Sequence, residues 1–553
     1  GGGAGGGSSA GGSSAGGGLT SGAAAQAAQA AQAAQAAATA MGKEWRPKVG
    51  GVVVQTLMEH VPRDEHGGFR QGPLFSHEHS GAVNRLAVSP DHSFFVSASS
   101  DGTCRVWGTA QLEQTVAPRA CAVYAQQPGR IMDACCVEGT RSMCSASDQG
   151  DVHVWRVDLL GSAGHGGSGS GGGGGSGGAA SPRTASGARG GGGESMGTVE
   201  VRRVPLAHEG PVVGVAHFNT DRSSLLLYAT QKGWVHGWDL RCEAEPWPPL
   251  RVAPELGFLT CIAVGSSGGE KHWLCAGTSR GFLLVWDLRF RLLVRLWRHS
   301  SRKPIHRVAT CARLPEDPEG IPPQPLAFVA AGGVGPGPEL AVWNLDAGGA
   351  CRRCFRTVVP QEGHALAAAP LPTLDAVPLP NHPDAPISYA GLGAAAAPPS
   401  SSNGVGSAHH SVRAIMGRIS TNGNSYVITG STDRHIRFWD LASPSKCFTV
   451  SGLDPGQPRP VFDALRVANN GNTPGLVDTF PDASCASSLL VCYDAEVPAR
   501  HNVVPSHLPL REQRGLVLPS GAHTDAILDL KTVDLPRKMM LSSSRDGVVK
   551  CWK

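Results

Sequence analysis

An all-β fold assembled from seven copies of one strand unit is what this sequence predicts, on three observations. The first is the stretch from His79 to Trp107, HSGAVNRLAVSPDHSFFVSASSDGTCRVW. It reads as an apolar run Val83–Val88, a Ser89-Pro90-Asp91 turn and a second run Phe94–Ala98, followed by a Ser100-Asp101-Gly102 hairpin turn and a third strand Thr103–Trp107. The second is recurrence. An apolar residue, two further residues and then Trp end seven segments, at Trp107, Trp155, Trp238, Trp286, Trp343, Trp439 and Trp552. The third is that Asp follows Trp in three of them, as Asp239, Asp287 and Asp440. A unit of three short strands cannot bury its faces alone, so the copies must stack on one another.

These Trp and Trp-Asp endings resemble the WD-repeat family, which implies a seven-bladed β-propeller of four-stranded blades. The Trp positions lie farther apart than the roughly 40–45 residues one blade takes, so insertions are expected. Taken from the start, residues 1–44 are Gly/Ser followed by an Ala-Gln tract, a low-complexity linker with nothing to pack a core. The propeller occupies 45–553. Disordered Gly/Ser- and Pro/Ala-rich insertions are expected near 161–197, between the second and third blades, and near 361–410, before the sixth. A third, near 452–520, falls between the sixth and seventh. The chain stops one residue after Trp552, so the seventh blade has three strands of its own. Its open edge would expose unpaired backbone groups. The segment Val52–Leu57, or else Pro73–Ser76, is expected to supply the fourth strand and close the ring.

Composition narrows the function classes. In 553 residues the formal charge is only +4, too small by itself to argue for nucleic acid. The 15 cysteines are scattered, many in strand patterns, which suits small buried residues in a reducing compartment. No apolar run approaches the roughly 18 residues of a membrane span. The first residue is Gly and no leader pattern follows, which reads as the C-terminal part of something longer.

In WD repeats a His, a Ser or Thr, a turn Asp and the Trp commonly form a buried hydrogen-bonded chain. His79, Ser99, Asp101 and Trp107 fit that set in the first blade, and His523, Ser544, Asp546 and Trp552 in the seventh. The sixth keeps Ser431, Asp433 and Trp439, its His open between His409 and His410. Lys232 and Arg280 stand where the Asp of the third and fourth blades would be. A His-Ser-Asp set recurring beside Trp at repeat spacing is structural, not a hydrolase triad. Gly277-Thr278-Ser279-Arg280-Gly281 matches G-x-S-x-G but lies between two strand patterns, so it reads as a hairpin turn. Cys351 and Cys354 have zinc-like spacing without a second pair nearby. No catalytic, metal or cofactor set is expected.

Two features could bind partners. Arg289, Arg291, Arg295 and Arg298 lie with Arg302, Lys303 and Arg307 in a stretch free of carboxylates, interleaved with Leu292, Leu293, Val294, Leu296 and Trp297. This is either a basic edge for acidic partners or anionic lipid, or a fourth strand whose Arg stems lie over apolar surface. Arg241 and Arg289 end twin Trp-Asp-Leu-Arg segments, similar to those of propellers that serve as substrate receptors on cullin ubiquitin ligases.

Several stretches resemble one particular family, the propeller of the regulatory, protein-kinase-like subunit of the class III phosphatidylinositol 3-kinase complex. They are Trp45-Arg46-Pro47-Lys48, HEHSGAVNRLAVS (His77–Ser89), SSDGTCRVW (Ser99–Trp107) and HFNTDRSSLLLYATQKGWVHGWDLR (His217–Arg241). HWLCAGTSRGFLLVWDLRF (His272–Phe290), STDRHIRFWDLASPSKCFTVSG (Ser431–Gly452) and the terminal SSRDGVVKCWK complete the set. Gly108 departs from the usual Asp after Trp, and the insertions are unusually rich in Gly and Pro. The resemblance implies a non-catalytic scaffold with the family's kinase-like domain lying upstream. Its implied partners are the lipid-kinase catalytic subunit and Beclin-like coiled-coil subunits. The implied site is cytoplasmic, peripheral on endosomal or autophagic membranes, in autophagy and endosomal sorting.

Overall fold

The computed structural model describes residues 53–56, 79–113, 119–160, 195–242, 247–267, 270–311, 314, 326–332, 338–345, 349–358, 372–379, 410–418, 425–441, 443, 446–450, 461–468, 475–476, 488–495, 523–535 and 537–552. Pro47–Lys553 forms one unit, and within it the strands make seven sheets. These are the blades of a seven-bladed β-propeller.

Blade 1 is Val83–Val88, Phe94–Ser99, Cys104–Gly108 and Ala122–Tyr124. Its second strand shows how a propeller uses the period of two. Phe94 and Val96 pack toward blade 2 with Met143 and Trp155, whereas Phe95 packs toward blade 7 with Met539 and Leu541. A strand buried on both faces needs an unbroken apolar run, and Phe94–Ser99 is buried throughout. The same partition splits Leu225 and Leu227 from Leu226 and Tyr228 in blade 3. Between the second and third strands the chain must turn through the left-handed region. Gly102 does so in blade 1 at φ 83°, and Arg434 takes the equivalent position of blade 6 at φ 72°.

The first strands of the blades are Val83–Val88, Ile131–Cys136, Val212–Asn219, Leu259–Ser267, Ile305–Cys311, Val412–Arg418 and Ile527–Val533. Each meets the next, and the last meets the first. All seven carry a bulge at the same place, between their first and third residues. Blade 7 is completed by Val53–Thr56, antiparallel to Val549–Trp552, with Val53 opposite Trp552 and Thr56 opposite Lys550. The alternative segment Pro73–Ser76 lies outside the described residues.

The structure places the insertions differently from the sequence reading. Residues 161–194 do not separate blades 2 and 3. They join the long third and fourth strands of blade 2, Asp151–Leu160 and Ser195–Pro205, so the expected insertion overran the start of a strand. Within 361–410, Leu374–Ala376 forms a fifth strand of blade 4 against Trp297–His299. Within 452–520, Val461–Ala468, Gly475–Leu476 and Ser488–Ala495 widen blade 5 to seven strands. The last of these runs parallel to the blade's fourth strand, Ala350–Val358. Apart from these strands, 372–373, 377–379 and 410, the rest of these stretches and residues 1–44 are outside the described residues.

Candidate interaction surface

The blade networks are built on second-strand hydroxyls. In blade 1 the Trp107 Nε1–H donates to Ser97 Oγ at 2.8 Å, and Ser97 Oγ meets His79 Nε2 at 2.7 Å. His79 Nδ1 meets Asp101 Oδ2 at 2.8 Å. These partners define the proton order: Ser97 gives its hydroxyl proton to Nε2, and Nδ1–H donates to Asp101. Burial lowers the His79 pKa and outweighs the pull of Asp101, so the ring is neutral. Burial alone would raise the Asp101 pKa, but the hydrogen bonds it accepts from His79 and from the Thr103 hydroxyl and N–H carry it below the usual range.

The sequence assignment named Ser99, two residues too far along. Ser99 instead donates to Gly81 O at 3.2 Å and accepts from the Asp101 N–H, pinning the turn. Blade 7 repeats the correction. Ser542, not Ser544, joins Trp552 and His523, both at 2.7 Å, while Ser544 donates to Asp525 O. The His523–Asp546 contact is 3.3 Å. Sequence reasoning missed blade 2, where Ser145 accepts from Trp155 and donates to Gln127, an amide standing in for the histidine. In blade 6, Trp439 donates to Thr429, not to Ser431. There Asp433 is paired with Arg437 at 2.7 Å, and Ser431 bonds Asp433. His410 Nδ1 meets the Thr432 hydroxyl at 3.5 Å, and His409 is outside the described residues. Blade 3 has its own buried set, Glu209 with His236 at 2.8 Å and with Thr230. The Lys232 ammonium is turned to His208 O, and Arg280 to Glu255 O.

A second layer, also missed, occupies the third position of the first strands, just past the bulge. Those residues are Arg85, Asp133, Gly214, Cys261, Arg307, Ala414 and Asp529. Asp133 accepts the Arg85 Nε–H and the Val215 N–H of blade 3, and Asp529 accepts the Leu86 N–H of blade 1. Arg85 reaches Asp529 at 3.6 Å and Arg307 reaches it at 3.4 Å. The other three positions carry the small residues Gly214, Cys261 and Ala414, and a Cβ at Gly214 would meet the Ile262 side chain of blade 4 at 2.8 Å. Burial disfavours the Arg85 charge, but Asp133 and Asp529 outweigh it and raise its pKa. The only early sign was a repeated Ile-x-Asp, in Ile131–Asp133 and Ile527–Asp529.

The candidate binding arginines fall on blades 3 and 4 and do not form one site. Arg241 returns to its own Asp239 at 3.3 Å, and Arg289 to Asp287 at 2.7 Å, each from the turn after its Trp. Arg291, at φ 56°, follows Phe290 in that turn. Arg295 is exposed on the fourth strand of blade 4, Leu292–His299, and donates to Val294 O. Arg298 lies 5.1 Å over the Phe282 ring, a packing role for its stem and guanidinium. Gly277–Gly281 is the hairpin between Glu270–Thr278 and Phe282–Asp287, with Ser279 Oγ accepting from the Phe258 N–H. Cys351 and Cys354 lie on the fourth strand of blade 5, Ala350–Val358, where burial pushes both thiols up.

Ring, bulges and Trp-linked networks define a WD40-repeat β-propeller. The WD domain, G-beta repeat family matches residues 72–108 and 402–440, which take in strands of blades 1 and 6. Beyond that class, the chain is homologous to the VPS15 proteins. Serine/threonine-protein kinase VPS15 of Arabidopsis thaliana is 27% identical over 489 residues, 87% of this chain and 28% of the relative. The probable serine/threonine-protein kinase vps15 of Dictyostelium discoideum is 37% identical over 221 residues, 40% of this chain and 10% of the relative. A putative serine/threonine-protein kinase VPS15 of Komagataella pastoris is 28% identical over 265 residues, 44% and 17%. The chain spans under a third of each relative and matches their WD region, not their kinase domain. Among the described residues no helix is long and apolar enough to cross a membrane.

Proposed function

We propose that this chain is the non-catalytic propeller of a class III phosphatidylinositol 3-kinase regulatory subunit. It organises the lipid-kinase catalytic subunit and Beclin-like coiled-coil subunits for autophagy and endosomal sorting. The similarity to VPS15 over 87% of the chain carries this reading. The physics agrees with a platform: a ring tied at its axis and in its blades holds its outer turns at fixed spacing, as a multi-subunit surface needs. Every His-Ser-Asp set described is part of a Trp-anchored network between strands, so the fold uses them for cohesion. The complex as a whole associates peripherally with endosomal or autophagic membranes.

The competing reading, a cullin-ligase substrate receptor, relies on Arg241 and Arg289. Both guanidinium groups are engaged by the carboxylate two residues earlier. Changing both to Ala removes half-exposed ion pairs, which stabilise a fold by at most about 1 kcal/mol each. The double variant of the full-length protein should still co-purify with the lipid-kinase subunits, identified by mass spectrometry. Recovery of a cullin adaptor by the parent protein, lost in the variant, with no lipid-kinase subunit in either, would reverse the choice.

A further inference from the structure

Phe290 is the most exposed large apolar side chain among the described residues, at 67%, and Leu292 beside it is at 55%. Phe290 lies in the turn that joins the third and fourth strands of blade 4, and Leu292 is the first residue of that fourth strand. The tip is stiff. Leu288 anchors it in the core, the Arg289 N–H donates to Asp287 Oδ1 at 2.9 Å, and the Arg289 guanidinium lies 5.5 Å from the Phe290 ring. Arg291 sits in the left-handed region, where glycine would carry no steric cost, and a long cation occupies the position instead. Asp287 neutralises Arg289, but Arg291 and Arg295 have no carboxylate partner among the described residues. The twin turn of blade 3 has the same Asp-to-N–H bond at Arg241, with Cys242 where Phe290 would be.

We propose that this tip contacts an anionic bilayer directly, with Phe290 and Leu292 entering the headgroup boundary while Arg291 and Arg295 bind lipid phosphate. Two exposed apolar side chains at a strand turn, with Arg291 between them and Arg295 three residues along the strand, are the pattern of interfacial attachment. A bilayer yields around such a tip, whereas a protein partner would have to bring the matching pocket. A preformed turn also binds without first being ordered. Two cations and two apolar side chains make a modest contact, one that holds the isolated chain on densely anionic vesicles and orients the ring where other contacts add to it. It rests on the geometry of blade 4 and adds to the scaffold reading without depending on it.

The test is flotation of the full 553-residue chain with phosphatidylcholine vesicles, with and without phosphatidylserine. The protein should float with the mixed vesicles, less so as salt rises, and little with phosphatidylcholine alone. Phe290→Ser and Arg291→Glu/Arg295→Glu should each weaken flotation by about tenfold with unchanged melting temperature. Arg241→Ala in the twin turn should have no effect. No flotation of the parent chain with mixed vesicles, or equal flotation of the variants, refutes the tip. So does a photo-cross-linker at position 290 that captures protein and no lipid in the intact complex. Lipid-kinase subunits retained by a variant that no longer floats would leave the scaffold reading standing, and their absence from the parent would not touch the tip.

Discussion

Ser97 sits between two groups that cannot find another partner, the Trp107 Nε1–H and the His79 Nε2, with no exposure to water. Replacing it by Ala strands both. An unsatisfied buried polar group costs about 1–3 kcal/mol, so Ser97→Ala and Ser542→Ala should each lower stability by about 2 kcal/mol in denaturant melts. Ser99→Ala removes two longer bonds, both 3.2 Å and part-buried at a turn that water can reach, and should cost under about 1 kcal/mol. If Ser99→Ala were the more damaging, the assignment would fail. The network was half legible. His79, Asp101 and Trp107 could be named because turn Asp and strand-end Trp are local patterns. The hydroxyl could not, because Ser97 and Ser99 share a strand face and only the pairing register selects one. Phe95 lies opposite Trp107, which puts Ser97 on its near diagonal. The separation of ten residues before Trp recurs at Ser145, Thr429 and Ser542 and is a usable signal once seen.

At the scale of elements, the seventh blade joins the two ends of the propeller. Val53–Thr56 comes from one end and the other three strands from the last stretch of the chain. Truncation at 541 removes most of Met539–Ser544 and all of Val549–Trp552, and leaves Val53–Thr56 without its neighbour. Blade 1 would then face solvent with Phe95, Trp107 and Val83. The truncated chain should be insoluble or rapidly cleaved by protease, and a sharp cooperative melt would contradict closure. Turn residues and alternation made the strands readable. The extra strand on blade 4, Leu374–Ala376, is too short to show a period, and the eight-residue additions to blade 5, Val461–Ala468 and Ser488–Ala495, lack the Trp ending by which the units were counted.

Over the whole molecule, burial holds several histidines neutral. The pKa of His79 is lowered, and those of His299 and His306 are lowered to about 4, burial being the first cause in each. Unfolded histidines take up protons near pH 6.5. The unfolded chain therefore binds more protons, and stability falls as pH drops from about 6.5 toward 4. Asp101, Asp433 and Asp546 shift in the same sense for acid stability. Their pKa values lie below the usual range, so their contribution is complete above about pH 3.9 and is lost as pH falls toward the folded values. Melting temperatures should be level from pH 8 to 7, decline below 6.5, and drop more steeply below 4. His79→Gln, imitating Gln127 of blade 2, should shallow the first decline. A protein more stable at pH 5 than at pH 7 would refute the sign.

What the sequence by itself determined was the unit and its number: strand runs, turns and Trp endings are encoded within some thirty residues, and seven of them imply a ring. Tertiary structure decided what joins the units. Asp529 bonds the backbone of Leu86 across 443 positions of chain, and Arg85 lies between carboxylates of two other blades. No local period records such a pairing. The charges of this layer find one another only because closing the ring brings every first strand to the same axis.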